Sequence, residues 1–241
     1  MRLAGLFGIA MLASLVAPVA QAGDASQMQV IGFTADGRIF AFEEYGVQDG
    51  SGFPYSYRYY IDTNTDKFLP NTPIRVRIED ENATVDQARD IAFQRGEKIA
   101  KEAQLARNQG YLAGYNAITE VSADPFRMVV NPRLVVPPID DVLEFRLEET
   151  YVGELDRCQG LGEPKGFRLV RIDAKDGGVT ELIHEDASIP LSRGCPTGYK
   201  IGAIQTLHRD NGRSTYAVMI SVIRVGFEGP DHRWMAVTGK W

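Results

Sequence analysis

Alternation of apolar and polar residues with a period of two dominates this sequence. The pattern is clearest over residues 55–62, 74–79 and 143–148, and it is typical of antiparallel strands with one buried face. Residues 167–173 and 216–225 are apolar at nearly every position, so we expect these strands to lie nearer the core. The hydrophobic pattern therefore predicts a mainly antiparallel β protein.

Three dipeptides between the strand-like segments mark turns: Asp36-Gly37, Asp176-Gly177 and Asn211-Gly212. Asn or Asp followed by Gly readily adopts the left-handed backbone conformations of a tight hairpin. We therefore expect a hairpin at each of these positions.

One segment breaks the strand pattern and predicts a single long helix over residues about 84–109. Thr84 and Gln87 match a capping box, and Gly110 is suited to end the helix. Small or apolar residues recur along one helical face: Ala88, Ala92, Gly96, Ile99, Ala103 and Ala106. Because most of them are small, we expect the helix to lie close against a sheet and to depend on it for stability. A partner-binding helix is the alternative.

Two pairs of segments share sequence patterns, which indicates an internal duplication. Residues 34–42 and 229–237 both contain D-x-R-x-x-A followed by an apolar residue, and residues 39–66 loosely resemble 143–176. The predicted fold class is α+β, mainly antiparallel β, with hairpin units in two related halves, propeller-like or sandwich-like, and one long helix. The predicted halves are residues 23–120 and 121–241.

The N-terminal residues have the features of a secretory signal peptide. Arg2 precedes an apolar run, which ends in Ala20-Gln21-Ala22, and this order predicts cleavage after Ala22. A retained membrane anchor is the alternative, but the run is short and rich in small residues. The mature chain, residues 23–241, is then a single mainly-β domain, periplasmic or secreted, with no further segment apolar enough to span a membrane.

Charge and cysteine content narrow the function classes. The 26 Lys+Arg and 32 Asp+Glu residues give a net charge of −6, and no concentrated basic segment is present, so we do not expect a nucleic-acid partner. In an exported protein, Cys158 and Cys195 are expected to form a disulfide. Two free thiols are the alternative. A zinc site is less favoured because the three histidines are scattered, and the sequence implies no metal and no cofactor.

Two resemblances follow from short motifs. The D-G-R-x-x-A-F element at residues 36–42 and the Ile61-Asp62 hairpin resemble strand pairs of β-propeller blades of the Tol-associated periplasmic type. A closed propeller needs at least about four blades of about 40 residues, so this resemblance implies local architecture only.

The second resemblance covers nearly the whole chain. Its motifs are Gly32-Phe33, Asp36-Gly37, residues 40–44, 49–56, 190–196 and 226–231. Together they resemble an uncharacterised bacterial family of predicted secreted proteins, domain of unknown function 2259. The resemblance implies export and a shared fold, and it brings no activity, cofactor or catalytic residue.

Two loops carry candidate binding residues. The loop over residues 49–56 contains Asp49, Phe53 and Tyr55, and a turn alone does not require an acidic residue and two aromatic residues. These three residues therefore predict contact with a ligand or partner. The alternative is that the two aromatic rings fold back over the sheet edge. Near the second cysteine, Ser192 lacks the surroundings of a nucleophile, whereas Arg193 is a binding candidate that could instead pair with a carboxylate.

A third loop carries the catalytic candidates Glu228, Asp231 and His232. Together they offer an acid, a base and a proton shuttle within one turn, although Gly-Pro-Asp is also ordinary turn chemistry. The alternation of Asp62, Asn64 and Asp66 suggests a calcium loop, but the later positions of that motif do not match.

The sequence therefore predicts a non-catalytic periplasmic binding or envelope-associated module, whose partner is an envelope protein or a small ligand. The alternative is a periplasmic hydrolase that uses Glu228, Asp231 and His232. The hydrolase requires these side chains to share one concave pocket. The binding module requires an exposed apolar patch, which we expect around Phe53 and Tyr55.

Overall fold

The structure is a computed structural model that describes residues 23–173 and 178–241. The predicted signal peptide with its cleavage after Ala22, and the predicted turn at Asp176-Gly177, lie outside the described residues. The strands, in chain order, are β1 (Gln27–Phe33), β2 (Ile39–Val47), β3 (Pro54–Asp62), β4 (Lys67–Phe68), β5 (Ile74–Arg77), β6 (Tyr111–Tyr115), β7 (Arg127–Val130), β8 (Leu143–Tyr151), β9 (Lys165–Asp173), β10 (Thr180–Glu185), β11 (Pro196–Leu207), β12 (Thr215–Val225) and β13 (Pro230–Lys240).

These strands form three antiparallel sheets, which confirms the prediction of a mainly antiparallel β protein. The first sheet has the order β1-β2-β3, and β4 and β5 both pair with β3. The second sheet has the order β10-β9-β8-β7, and the third has the order β13-β12-β11-β6.

The third sheet packs against both of the other sheets, and β12 shows why. Ala217 and Met219 of β12 share a core with Phe42 of the first sheet. Val218, on the opposite face, shares a core with Phe145 of the second sheet. Because successive side chains of a strand point to opposite faces, a strand covered on both sides must be apolar at nearly every position, as predicted for residues 216–225.

The predicted helix begins at the expected residue. Thr84 is the N-cap of α1 (Val85–Gly96): its hydroxyl accepts the backbone N–H of Gln87, and the Gln87 side chain accepts the backbone N–H of Thr84. The small residues Ala88 and Ala92 are buried in a core shared with the first sheet. The prediction that a face of small side chains lies against a sheet is therefore confirmed for Ala88, Ala92 and Gly96, whereas it is wrong for Ala103 and Ala106, which are exposed.

The predicted length of the helix is wrong. The α1 helix ends at Gly96, and α2 (Glu102–Ala106) is a separate short helix. A Cβ atom at Gly96 would lie 2.2 Å from the Tyr60 hydroxyl oxygen, so only glycine permits this close approach to the first sheet. Beyond it, the Glu97 carboxylate accepts the backbone N–H of Glu102 at 2.7 Å, which stabilises the break. No helix of the described chain is long and apolar enough to cross a bilayer.

Three further predictions are confirmed. Cys158 and Cys195 form a disulfide, with their Cα atoms 5.6 Å apart. Hairpins join β1 to β2 at Gly37 and β11 to β12 at Gly212, and both glycines have positive φ angles, of 65° and 112° respectively.

The repeated segments fold into comparable hairpins. The segment from residue 39 contains β2 and β3, and the segment from residue 143 contains β8 and β9; all four are nine-residue antiparallel strands. The shorter repeat is less regular. Asp36 lies in a turn, whereas Asp231 lies within β13, opposite Arg224.

Candidate functional site

A carboxylate lies on an otherwise apolar face of β2. Phe40, Phe42 and Glu44 alternate along the strand and so share one face. Glu44 is nevertheless only 2 % exposed. A buried carboxylate needs hydrogen-bond donors to offset its desolvation, so its partners define the centre of the candidate site.

Two neutral donors meet the Glu44 carboxylate. The Tyr59 hydroxyl donates to Oε1 at 2.5 Å, and the backbone N–H of Trp234, in β13, donates to Oε2 at 2.7 Å. Burial raises the pKa of Glu44, while these two hydrogen bonds and the charges of Arg233 and Arg224 act in the opposite direction. Glu44 therefore ties the first sheet to the edge of the third.

A cleft of about 430 Å³ lies beside Glu44 and along β13. The alternation of β3 brings Tyr55, Tyr57 and Tyr59 to the wall that the first sheet provides, and His184 and Arg193 border the opposite wall. We call this feature the arginine cleft, because four arginines line it: Arg75, Arg193, Arg224 and Arg233.

Two of the four arginines are neutralised by buried aspartates. Arg233 Nη2 lies 2.5 Å from Asp24 Oδ2, and Arg193 forms an ion pair with Asp186. The hydrogen bonds from His184 and Arg193 lower the pKa of Asp186 although burial acts to raise it. These two pairs hold the cleft walls in place.

The other two arginines keep most of their binding capacity. Among the described residues, the carboxylate nearest to Arg224 is that of Asp231, at 4.0 Å, and Asp231 is also close to Arg233. Arg75 has no ion pair with any described residue, and its guanidinium lies 6.0 Å from the centre of the Tyr57 ring. A guanidinium offers up to five N–H donors, so both groups can still bind an anion.

The predicted binding loop lies next to this cleft. Tyr55 is only 1 % exposed, and its hydroxyl bonds Ser26 at 2.6 Å and Asp24 at 2.9 Å. Phe53 is half-buried, 6.0 Å from the guanidinium of Arg77. The expectation of an exposed aromatic patch is therefore wrong for Tyr55, because its hydroxyl is bonded inside the protein.

The structure brings two of the predicted loops together. Asp49 Oδ2 accepts the backbone N–H of Glu228 at 2.8 Å, so the loop after β2 contacts the turn between β12 and β13. This contact fixes the backbone of the turn and leaves the Glu228 side chain exposed.

The three catalytic candidates do not share a pocket. Asp231 and His232 are successive residues of β13 and point to opposite faces. Asp231 accepts the backbone N–H of Asp24 at 3.0 Å, whereas His232 Nδ1 lies 3.0 Å from the Ser221 hydroxyl. Burial, with the charge of Lys200, lowers the pKa of His232. The space beside His232 is only about 20 Å³.

The other candidates have structural partners. Arg193 closes the short 3₁₀ turn Leu191–Arg193, directly before the disulfide. Asp62 accepts the backbone N–H of Asn64 at 2.9 Å, as in an ordinary hairpin turn. In the described ranges, no group of three or more His, Cys, Asp or Glu residues could hold a metal ion.

Sequence reasoning missed the central residues of the cleft: Glu44, Arg75, Arg224 and Arg233. The signal for Glu44 was present, because its period-two position places it on the face of Phe40 and Phe42. A carboxylate at an apolar strand position predicts an unusual environment. The arginines carried no comparable signal, since three different strands supply them and only the folded sheets bring them together.

The fold and the cleft define a class: a disulfide-bonded protein of three antiparallel sheets with a polar cleft along one edge strand. Residues 41–240 match the model of a family described as predicted secreted protein (DUF2259), and the chain belongs to this family, in agreement with the resemblance found in its motifs. No curated protein matches the sequence.

Proposed function

We propose that this protein is a non-catalytic, exported binding protein that receives an anionic ligand in the arginine cleft. The observation that carries the proposal is the pair of guanidinium groups, Arg75 and Arg224, that border the cleft without a close carboxylate partner among the described residues. A guanidinium presents planar N–H donors that suit a carboxylate or phosphate.

The size and lining of the cleft support a small ligand or a short segment of a larger one. Its volume of about 430 Å³ lies within the range of about 300–1,000 Å³ that is typical of ligand sites. Tyr57 and the exposed Phe68 border it, and aromatic rings provide apolar contact area beside the charged groups. The ligand class is therefore an anion with some apolar surface.

The positions of the candidate acids and bases support binding rather than hydrolysis. General acid–base catalysis needs both groups within hydrogen-bond reach of one reacting centre. Asp231 and His232 point to opposite faces of β13, and Glu228 is exposed on the preceding turn. The hydrolase alternative has no comparable support.

Location and organisation are part of the same proposal. Cleavage after Ala22 releases residues 23–241 into the periplasm or the medium, where they act as one unit with two related halves. The disulfide and the family description support export. The pairing of β6 with β11, across the boundary between the halves, supports a single unit. N-terminal sequencing of the exported protein tests the cleavage site.

Isothermal titration of the purified protein with simple anionic probes tests the binding function. The probes are inorganic phosphate, galacturonate oligomers and capped glutamate peptides, and we expect at least one of them to bind. Arg224→Gln should weaken that binding roughly tenfold, because one charged hydrogen-bond donor is lost. Arg127→Gln is the matched control, since Arg127 pairs with Glu144 outside the cleft. Equal binding by both variants, or no binding of any probe, would contradict the proposal.

A further inference from the structure

The outer edge of β13 faces the arginine cleft and is closed at both ends. At one end, the backbone N–H of Trp234 donates to Glu44 at 2.7 Å. At the other end, the backbone N–H of Thr238 donates to Asp66 at 2.7 Å. Each carboxylate takes the place that a neighbouring strand would otherwise fill.

Between these two ends, the backbone of Ala236 points outward. The β12–β13 pairing runs without a bulge from Thr215 opposite Lys240 to Val225 opposite Pro230. In an antiparallel pair, alternate residues turn their N–H and C=O groups toward the partner strand and away from it. Since the N–H of Trp234 points away from β12, so do the N–H and C=O of Ala236, and neither group has a hydrogen-bond partner among the described residues.

The open edge is short and lies inside the cleft. Trp234 and Thr238 are four residues apart, which is about 13 Å along a strand. Trp234 and Ala236 both line the cleft, and the C=O of Trp234 and the N–H and C=O of Ala236 have no hydrogen-bond partner among the described residues. Unpaired groups at a strand edge are a template for pairing with another extended chain.

The arginines indicate the charge of that chain. Residues of a strand added beside β13 would point alternately to the two faces of the third sheet. Arg75, in β5 of the first sheet, lies on one side of the cleft. Arg224 lies on the other side, because it shares the face of β12 on which Val222 packs toward the second sheet. Two adjacent acidic residues would therefore meet one arginine each.

We propose that the arginine cleft binds an extended acidic segment of another polypeptide, which adds a short strand to the outer edge of β13; this inference rests on the proposed anion-binding function. Backbone hydrogen bonds to Trp234 and Ala236 hold the segment in register, and its two adjacent carboxylates pair with Arg75 and Arg224. Main-chain pairing provides affinity in such complexes, and the side chains provide specificity.

The experiment uses a fluorescein-labelled, end-capped tetrapeptide with two adjacent glutamates, which is about as long as the open edge. It is titrated with the purified protein and followed by fluorescence polarisation. We expect saturable binding. Replacing both glutamates by glutamine should weaken it at least tenfold, and methylating the backbone nitrogen that faces the C=O of Trp234 should weaken it roughly tenfold. Methylation at neighbouring nitrogens, which point away from β13, should change the affinity little. The N-methyl series leaves the protein unaltered, so it does not depend on the folding of a variant.

A variant of the protein tests the same contact. Ala236→Pro should weaken binding, because it removes the outward N–H that the ligand would bond. The variant should still fold, since edge strands accept proline where the N–H faces outward. Ala236→Ser, which keeps the N–H, is the matched control.

The possible outcomes distinguish failure of the strand-pairing inference from failure of the proposed anion-binding function. If the acidic peptide binds and no single N-methylation matters, edge pairing is wrong although anion binding stands. If phosphate or galacturonate binds and the peptide does not, the peptide-binding inference is wrong although the proposed anion-binding function stands. If no anionic probe binds, the proposed function fails as well. Concentration-dependent dimerisation that Ala236→Pro abolishes would show that a second copy of this chain occupies the edge, which also overturns the inference.

Discussion

Glu43 and Glu44 are neighbours in β2, yet they lie in opposite environments because a strand points successive side chains to opposite faces. Glu43 faces α1 and is 1 % exposed. Its carboxylate accepts hydrogen bonds from Ser56 at 2.8 Å, from Arg58 at 3.3 Å and from Arg89 at 3.1 and 3.2 Å. Glu44 faces the arginine cleft, and its donors are a tyrosine hydroxyl and a backbone N–H.

The difference shows what distinguishes a structural charge cluster from a candidate binding site. Around Glu43 the charges are matched, since Arg58 also pairs with Glu102 at 2.5 Å and the helix covers the cluster. In the arginine cleft, Arg75 and Arg224 have no close carboxylate within the described ranges. Unmatched donor capacity, rather than the number of charges, therefore marks the candidate site.

The largest expected effect concerns the matched cluster. Glu43→Ala leaves Arg58, which is 5 % exposed, and Arg89 without their shared partner. Removing one member of a buried ion pair costs about 3–5 kcal/mol, so the free energy of unfolding should fall by about that amount in urea denaturation. Glu79→Ala, in an exposed pair with Arg77, should change it little. Similar losses in both variants would show that the Glu43 cluster is no more important than a surface pair.

Loss of the disulfide should have the next largest effect, and it should lower both the free energy of unfolding and the affinity of the cleft for anions. The disulfide closes a loop with a sequence separation of 37, for which the chain-entropy model gives between about 3 and about 4.7 kcal/mol. The double variant Cys158→Ser, Cys195→Ser should lose about this much stability. Because Arg193 lies two residues before Cys195, anion affinity should fall too. Unchanged affinity in the folded variant would show that the Asp186–Arg193 pair alone holds this wall.

Much of the fold could be predicted from local patterns. Strand periodicity, the turns at Gly37 and Gly212 and the Thr84 cap depend on residues close in sequence, and the structure confirms them. The break after Gly96 could not be predicted, because small residues continue to recur at helical spacing beyond the glycine. In the structure, the Glu97 carboxylate accepts the backbone N–H of Glu102 at 2.7 Å, a contact that the periodicity does not reveal.

The candidate site was less predictable for a related reason. The composition of the loop predicts Asp49, Phe53 and Tyr55 as binding residues, and of these three Tyr55 lines the cleft. Its most important groups belong to regular strands, where a charged residue is usually solvated. Arg75 and Arg224 are separated by 149 positions, and only the packing of the sheets brings them to one cleft.

A smaller effect, with a defined pH dependence, is expected at Glu44. The hydroxyl of the protonated carboxyl group can both donate and accept a hydrogen bond, whereas the NH2 group of glutamine can only donate, so Glu44→Gln should cost about 1 kcal/mol near pH 5. The raised pKa of Glu44 means that the folded state binds its proton more readily than the unfolded state, whose pKa is near 4.5. The contribution of Glu44 to stability is therefore greatest below that pH and decreases as the pH rises toward the folded-state pKa.

The check is a series of urea denaturations of the wild type and Glu44→Gln between pH 5 and pH 8. The difference between the two proteins should shrink as the pH rises. Glu228→Gln, at an exposed position on the β12–β13 turn, serves as the control and should show no such trend. A difference that grows with pH would mean that the folded-state pKa of Glu44 is lowered, as expected for a matched cluster like that of Glu43.

The smallest expected effect on stability is at Arg224, and it gives the sharpest test of the comparison. Its contact with Asp231 is 4.0 Å long and partly exposed, and such pairs contribute about 0–1 kcal/mol. Arg224→Gln should therefore unfold at nearly the same urea concentration as the wild type while its affinity for the anionic probe falls roughly tenfold. Glu43→Ala should show the reverse, with lower stability and unchanged affinity in the folded fraction. If Arg224→Gln instead lost stability and kept its affinity, the two faces of β2 would both be structural, because the unmatched guanidinium would then stabilise the fold rather than bind a ligand.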